Sequence, residues 1–139
     1  MKTTIVALSL FLFSTTFSQE KKNVPSVYLG VDCSDTVGSN AASALRERIR
    51  ASNGYTLGSE TTKEHSGFEI ILTCVGIPGH EKTASAVSYV FDTFLPDGAR
   101  YFVTPGIGVV GTDGVDGWAR NIFSQFDNYV SDVKKSTSR

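Results

Sequence analysis

Three glycines in the C-terminal half of the chain have the spacing of a nucleotide-binding motif. The stretch "PGIGVVGTDG" (residues 105–114) places Gly106, Gly108 and Gly111 as G-x-G-x-x-G. In dinucleotide-binding proteins this motif joins a strand directly to a helix, and an acidic residue on a second strand follows about 20 residues later. Here "TDG" separates Gly111 from the next helical pattern, and the chain ends after that helix. We therefore predict a glycine-rich loop or bulge on a strand pair, and no cofactor.

The two histidines of the chain give no metal-binding pattern. His65 and His80 each lie beside a glutamate, in stretches typical of loops. Metal sites usually draw their ligands from spacings such as H-E-x-x-H or from close Cys and His pairs, and neither pattern occurs here. We predict two solvent-exposed loop histidines and no metal site.

Carboxylates are the residues that could best support a hydrolase. The chain lacks G-x-S-x-G, and a thiolate at Cys74 would be costly on the apolar face of a strand. Asp32 and Asp35 flank the end of the first predicted strand, and Asp92 lies on a long strand, so paired carboxylate chemistry is conceivable. The simpler interpretation is that Asp35 caps a helix while Asp32 faces water. We assign no catalytic residue.

The only two cysteines, Cys33 and Cys74, both fall on the apolar phase of predicted strands. They could form a disulfide if those strands are neighbours whose Cα atoms lie within about 7 Å. An oxidising compartment would permit that bond. Two buried thiols are the alternative, and the residues alone favour neither.

The first half of the chain predicts a strand, a helix and a short strand. "VYLGVDC" (residues 27–33) alternates apolar and other residues with period two, as a half-buried strand does. A helix follows, with Ser34 or Asp35 as its N-cap and Gly54 at its end. "YTL" (residues 55–57) predicts a brief edge strand before a polar loop. The helix has apolar residues near one-turn spacing at Val37, Ala41, Leu45 and Ile49.

The second half predicts an antiparallel meander and a long helix. "FEIILTCV" (68–75) is apolar on both faces, which indicates a central strand. "TASAVSYVFDTF" (83–94) is a long strand, "LPDGA" (95–99) a reverse turn, and "RYFVT" (100–104) the next strand. Asp113 or Asp116 is positioned to cap the last helix. The apolar stripe of this helix consists of Trp118, Ala119, Ile122, Phe123, Phe126, Tyr129, Val130 and Val133.

The order of these elements predicts the fold class. A β-α-β-β-β-β-α order with two amphipathic helices is typical of an α+β protein. We predict a two-layer sandwich in which a mainly antiparallel sheet carries both helices on one face.

The N terminus has the pattern of a secretory signal peptide. Lys2 precedes an apolar run over residues 5–13, and small residues follow near an expected cleavage point at Ser18. The run is about half the roughly 20 residues that cross a bilayer, so we predict no membrane span. We divide the chain into a signal peptide (1–18), an extension (19–26), one domain (27–133) and a polar tail (134–139). The domain is predicted to be exported, to the periplasm or outside the cell.

The charge balance argues against nucleic acid and anionic membranes as partners. The chain has 13 basic and 14 acidic residues. Loss of the leader removes Lys2, which leaves 12 basic against 14 acidic residues and a net charge near −2. Such a balance provides no electrostatic attraction for polyanions.

One stretch resembles small bacterial envelope domains. "ASALRERIRASNGYTLGSE" (42–60), preceded by a strand and followed by "FEIILTCV", is similar to the opening of the N-terminal domain of the Tol system translocation protein and of the curli-secretion lipoprotein family. There a strand leads to an A-x-x-L-x-x-x-I helix, a short strand and an extended strand. The similarity covers about residues 27–94. It implies a noncatalytic module that contacts other envelope proteins.

These observations favour a noncatalytic protein-interaction module. Its binding surface would be an exposed sheet edge, the "GIPGHEK" turn (76–82) or the glycine stretch, with another envelope or secreted protein as partner. The alternatives are a small secreted hydrolase that uses carboxylates, and a periplasmic inhibitor or immunity-type protein. A concave pocket holding Asp32, Asp35 and Asp92 would indicate the enzyme, whereas a flat surface with an exposed apolar patch would indicate binding.

Overall fold

The structure is a computed structural model that describes residues 24–59, 67–94, 100–102 and 105–138. The predicted leader, most of the predicted extension, His65 and the predicted reverse turn at 95–99 lie outside these residues. Six strands and two α-helices occur in the part described. They are β1 (Ser26–Cys33), α1 (Thr36–Ala51), β2 (Thr56–Leu57), β3 (Phe68–Gly76), β4 (Ala84–Phe94), β5 (Arg100–Phe102), β6 (Gly106–Gly111) and α2 (Val115–Thr137).

The strands form one mixed sheet of order β2-β1-β3-β4-β5, with β6 also paired to β4. β1 is parallel to both β2 and β3, whereas β4 is antiparallel to β3, β5 and β6. β4 is long enough to pair with both later strands, with β6 over 84–89 and with β5 over 92–94. The predicted α+β class is confirmed, and so are the central position of β3 and the antiparallel meander through β4 to β5.

Both helices cover the same face of the sheet, as predicted. Phe68 and Cys74 share one face of β3 because alternate residues of a strand point the same way. Phe68 stacks edge-on against Phe126 of α2, and Cys74 lies directly beneath Gly38 of α1. This face, called here the helix face, carries the hydrophobic core. The opposite face is called the outer face.

Helix α1 begins and packs as its sequence predicts. Asp35 is its N-cap, and one carboxylate oxygen accepts a hydrogen bond of 2.8 Å from the Gly38 amide. The second oxygen accepts a 2.8 Å hydrogen bond from the buried hydroxyl of Ser85 on β4. Asp35 therefore ties the start of α1 to the sheet. The four predicted apolar positions of this helix are all fully buried or nearly so: Val37, Ala41, Leu45 and Ile49.

Gly38 is required for the close approach of α1 to the sheet. A Cβ at this position would lie 2.4 Å from Cβ and 2.9 Å from Sγ of Cys74. We expect Gly38→Ala to lower the free energy of unfolding by about 2 kcal/mol, because overpacking costs about 1–3 kcal/mol and exceeds the gain in helix propensity. Urea denaturation followed by the fluorescence of Trp118 measures the change.

Gly117 provides the matched control for Gly38. It is the third residue of α2, as Gly38 is of α1, and a Cβ there would meet nothing within 4 Å. Gly117→Ala should therefore raise the free energy of unfolding by about 0.5 kcal/mol through helix propensity alone. Equal effects of the two substitutions would contradict the packing described for Gly38.

Helix α2 starts differently from the prediction. A 3-10 turn (Thr112–Gly114) precedes it, and its N-cap is Gly114, with no side-chain capping bond. The predicted capping by Asp113 or Asp116 is wrong, because the chain already enters the turn in helix-like geometry and Asp116 lies within the first helical turn. There its charge still faces the positive end of the helix dipole. The helix continues past Val133 into the predicted polar tail.

The centre of the core is an aromatic cluster around Phe126. Its ring centroid lies 5.4 Å from Tyr55, 5.4 Å from Phe91 and 6.1 Å from Phe68. Edge-to-face and tilted pairs at these distances add to the stabilisation from apolar burial. The Tyr55 hydroxyl at the rim donates a 2.6 Å hydrogen bond to Asp127. The apolar stripe read from α2 is therefore the surface that closes the core.

Tyr129 is expected to make the free energy of unfolding depend on pH in the alkaline range. Burial, with a contribution from the negative charge of Asp92, raises the pKa of Tyr129 from 10.0 to about 12. A raised pKa stabilises the folded state fully below pH 10, and that contribution is lost as the pH rises from 10 through about 12. We expect the free energy of unfolding to fall more steeply over this range in the natural protein than in Tyr129→Phe, in urea titrations at fixed pH. Parallel pH profiles would contradict this.

The two cysteines are joined in a disulfide between adjacent strands. Cys33 at the end of β1 pairs in register with Cys74 of β3, and their Cα atoms are 4.3 Å apart. Parallel pairing of β1 and β3, which the sequence pattern did not specify, brings the two residues together. Of the two alternatives left open by the sequence, the structure has the disulfide.

Candidate binding surface

The aspartates considered for hydrolytic chemistry are not brought together. Asp35 is engaged in capping α1, and Asp32 lies exposed on the outer face of β1, as the simpler interpretation predicted. Asp32 is in register with Thr73 and, through it, with Ser88. Asp92 lies four residues beyond Ser88 along β4, about 13 Å at 3.3 Å per residue. These three carboxylates therefore share no pocket.

Asp92 has a different neighbour, one that the sequence pattern does not indicate. Glu69 of β3 and Asp92 of β4 are directly in register on the outer face, and both are fully buried. Neither is without an interaction partner. Each is the only charged residue of its strand, so burial could have been suspected from the sequence, but the register that pairs them depends on the sheet.

His80 lies in the exposed turn between β3 and β4. The turn is closed by local hydrogen bonds, and the carboxylate of Glu81 accepts one of 2.9 Å from the Gly79 amide. That bond, together with one from the backbone of Glu81 itself, lowers the pKa of Glu81. Within the described ranges, no group of three or more His, Cys, Asp or Glu side chains could hold a metal ion.

The G-x-G-x-x-G residues lie in a strand paired antiparallel with β4. Gly106 is in register with Tyr89 and Gly108 with Val87, and helix α2 begins only after the intervening 3-10 turn. This geometry differs from a strand-to-helix nucleotide loop. The predicted strand-pair interpretation is therefore confirmed, although β6 is a regular strand and not a loop or bulge.

Gly106 of β6 serves a close approach and not an unusual backbone angle. Positive φ occurs only at Gly79 among the described residues. A Cβ on Gly106 would lie 2.0 Å from Cζ of Tyr89, whose ring occupies that space. The Tyr89 hydroxyl in turn donates a 2.7 Å hydrogen bond to Gln125 of α2. On the helix face, the missing side chain of Gly106 thus leaves room for the ring of Tyr89 from β4.

The outer face carries an exposed apolar patch. The side chains of Ile107, Val109 and Val75 are 87%, 66% and 58% exposed. Val75, Ala86 and Val109 form one row across three strands, and Ile107 lies in the next row beside Ser88. These exposed residues are called here the apolar patch. Isolated exposed apolar residues are ordinary, but a cluster on an open sheet face is typical of a binding surface.

The sequence pattern indicates the glycine stretch as a binding candidate but does not identify these side chains. The apolar pattern on both faces of β3 indicates a central strand but does not show which side chains of the sheet stay exposed. The usable signal was in "GIGVV" (106–110), where the positions facing the helices are Gly106, Gly108 and Val110. The alternate positions, Ile107 and Val109, therefore point outward. Only the strand pairing shows which of the two sets is inside.

Neither described helix is both long and apolar enough to pass through a bilayer. α2 is the longer of the two, and its apolar residues are confined to the stripe that packs on the sheet.

Comparison with known proteins finds partial structural similarity and no sequence match. The sequence matches no protein-family profile and no curated protein. Among solved structures, it is similar to the hypothetical protein CT253 from Chlamydia trachomatis, with 9% identity over 76% of this chain and 95% of that chain and a TM-score of 0.47. It is also similar to PelC from Paraburkholderia phytofirmans, solved as a dodecamer, with 13% identity over 68% of this chain and 78% of that chain and a TM-score of 0.40.

Proposed function

We propose that this protein is an exported, noncatalytic interaction module that binds a partner protein through the outer face of its sheet. The observation that carries the proposal is the apolar patch of Val75, Ile107 and Val109. Apolar side chains on an open sheet face gain free energy when a partner removes them from water, at roughly 25 cal/mol per Å². The separation of Asp32, Asp35 and Asp92 supports this function over a carboxylate hydrolase.

Export is supported by two independent features. The first 18 residues have the charge, apolar run and small residues of a signal peptide. The Cys33–Cys74 disulfide is of the kind that persists in oxidising compartments. The sequence resemblance to the Tol translocation and curli-secretion domains also favours a role in contacts between envelope proteins, in the periplasm or outside the cell.

Substitution within the apolar patch tests this function. The natural protein and the double variant Ile107→Lys/Val109→Lys are each used to capture proteins from envelope and medium fractions of the source organism. We expect the variant to recover at least about tenfold less partner, since a tenfold loss of affinity corresponds to only about 1.4 kcal/mol. Quantitative mass spectrometry of the captured proteins is the measurement.

The control has the same charge on another surface. Ser124→Lys/Asn128→Lys adds two lysines to the exposed side of α2 and should recover partners as the natural protein does. The proposed function is wrong if the patch variant and the helix variant recover the same proteins in the same amounts. An inhibitor or immunity-type protein would show a single stoichiometric enzyme among the proteins lost.

A further inference from the structure

Strand β6 has one edge without a neighbour in the described structure. One side of β6 pairs with β4 along Gly106–Gly111, and none of the described strands pairs with the other side. An unpaired edge offers backbone N–H and C=O groups to any extended chain that can align with it. The kind of occupant this edge favours is therefore another β-strand.

The direction of the backbone groups can be read from one hydrogen bond. The Thr112 amide donates to the Thr83 carbonyl at 3.0 Å, in continuation of the β4–β6 register. In antiparallel pairs, residues alternate between pointing both groups inward and both outward. Gly106, Gly108 and Val110 therefore bond toward β4, while Ile107 and Val109 direct their N–H and C=O groups to the open edge. The residues with available backbone groups are thus the ones with exposed apolar side chains.

Along Gly106–Gly111 this edge lacks the features that usually prevent strands from pairing. Natural edge strands are commonly protected by charged side chains, prolines or bulges. No residue of "GIGVVG" (106–111) is charged, none is proline, and the register with β4 is unbroken. The edge of β1 beyond the two-residue β2 is different, because it carries the exposed carboxylate of Asp32. A second copy would therefore meet no like-charge repulsion at β6.

We propose that β6 pairs antiparallel with β6 of a second copy of this chain, about a two-fold axis at Gly108. In this register Ile107 of each copy lies opposite Val109 of the other copy. The backbone groups that point to the open edge in one copy therefore meet the corresponding groups of the other copy. Both pairs bring exposed apolar side chains into contact on the outer face. A two-fold contact of this kind is self-complementary and closes after two copies. The inference rests on the proposed binding surface and names its partner.

Gly108→Cys tests the register directly. Gly108 would face Gly108 of the second copy as a pair whose Cα atoms are about 4.5 Å apart, within the range that a disulfide bridges. A Cβ at this position meets nothing nearer than Nε1 of Trp118 at 3.9 Å, so the variant is accommodated. The native cysteines are already bonded to each other. We expect the full-length protein carrying Gly108→Cys to form disulfide-linked dimers under mild oxidation on non-reducing gels.

Val109→Cys is the matched control for that crosslink. In the proposed register, Val109 and Val109 of the second copy are diagonal neighbours about 7–8 Å apart, which is too far for a disulfide. We expect no dimer band from this variant. Equal crosslinking of Val109→Cys and Gly108→Cys would overturn the register.

Sedimentation of the uncrosslinked protein tests the dimer itself. The natural protein should sediment as a dimer at about 0.1 mM, and Ile107→Lys/Val109→Lys should weaken the dimer by about 100-fold because like charges replace both apolar pairs. Circular dichroism confirms that the variant is folded. A natural protein that is monomeric at this concentration overturns the dimer. If a monomeric natural protein captures partners that the Ile107→Lys/Val109→Lys variant does not, the proposed function stands, and only the inference that the partner is a second copy is wrong.

Discussion

Phe126→Ala is expected to lower the free energy of unfolding by about 3–5 kcal/mol, the usual cost of emptying a fully buried aromatic site. Phe126 contacts rings from β3, β4 and the segment before β2 as well as its own helix. Its removal leaves a cavity that four aromatic neighbours cannot close without losing their own packing. Since domains of this size are stable by about 5–15 kcal/mol, this single change removes a large share.

Urea denaturation monitored by circular dichroism measures this loss. Phe123→Ala is the control, because Phe123 lies on the same helix and contacts Tyr55 at 5.9 Å but is only partly buried. We expect it to cost less than half as much, since less apolar surface returns to water. Equal losses for the two substitutions would show that Phe126 is not the centre of the core.

Reduction of the Cys33–Cys74 disulfide is the second change with a large expected effect. The bond links residues 41 positions apart. Opening it should lower the free energy of unfolding by about 2–4 kcal/mol, because the unfolded chain regains the freedom that the closed loop denied it. The folded state should persist, since β1 and β3 remain paired along seven residues of register. Urea midpoints with and without a phosphine reductant give the difference.

Cys33→Ala/Cys74→Ala separates this effect from any other action of the reductant. The double variant should have the lower stability in both conditions and show no response to reduction. A natural protein whose urea midpoint does not move on reduction would contradict the contribution assigned to the bond. A natural protein that carries two free thiols by mass spectrometry would contradict the bond itself.

Much of the local structure was predictable because it depends on neighbouring residues. The apolar spacing of α1 and α2, the capping by Asp35 and the central character of β3 are periodicities and short-range bonds. The start of α2 was predicted less well. The sequence offered Asp113 or Asp116 as the N-cap, whereas the N-cap is Gly114. The difference comes from the 3-10 turn over Thr112–Gly114, whose position the local sequence does not specify.

The candidate site was less predictable than the fold. The glycine stretch was correctly separated from nucleotide motifs by its distance from the helix, a feature of the sequence alone. That Ile107 and Val109 are exposed depends on which side of β6 faces Tyr89 and Trp118. Likewise, the burial of Asp92 opposite Glu69 depends on the register of β3 with β4. A shift by one residue in either pairing would exchange the faces.

The amino-acid sequence by itself determined the α+β class, the two amphipathic helices and the presence of a leader pattern, because each is written in hydrophobic periods and charges that act over a few residues. The tertiary structure alone decided that β1 lies parallel beside β3, so that Cys33 meets Cys74. It also decided that Ile107 and Val109 face outward at an open edge. Strand order and register arise from contacts between distant segments, where many pairings satisfy the same local pattern and only the packing of the whole core selects one.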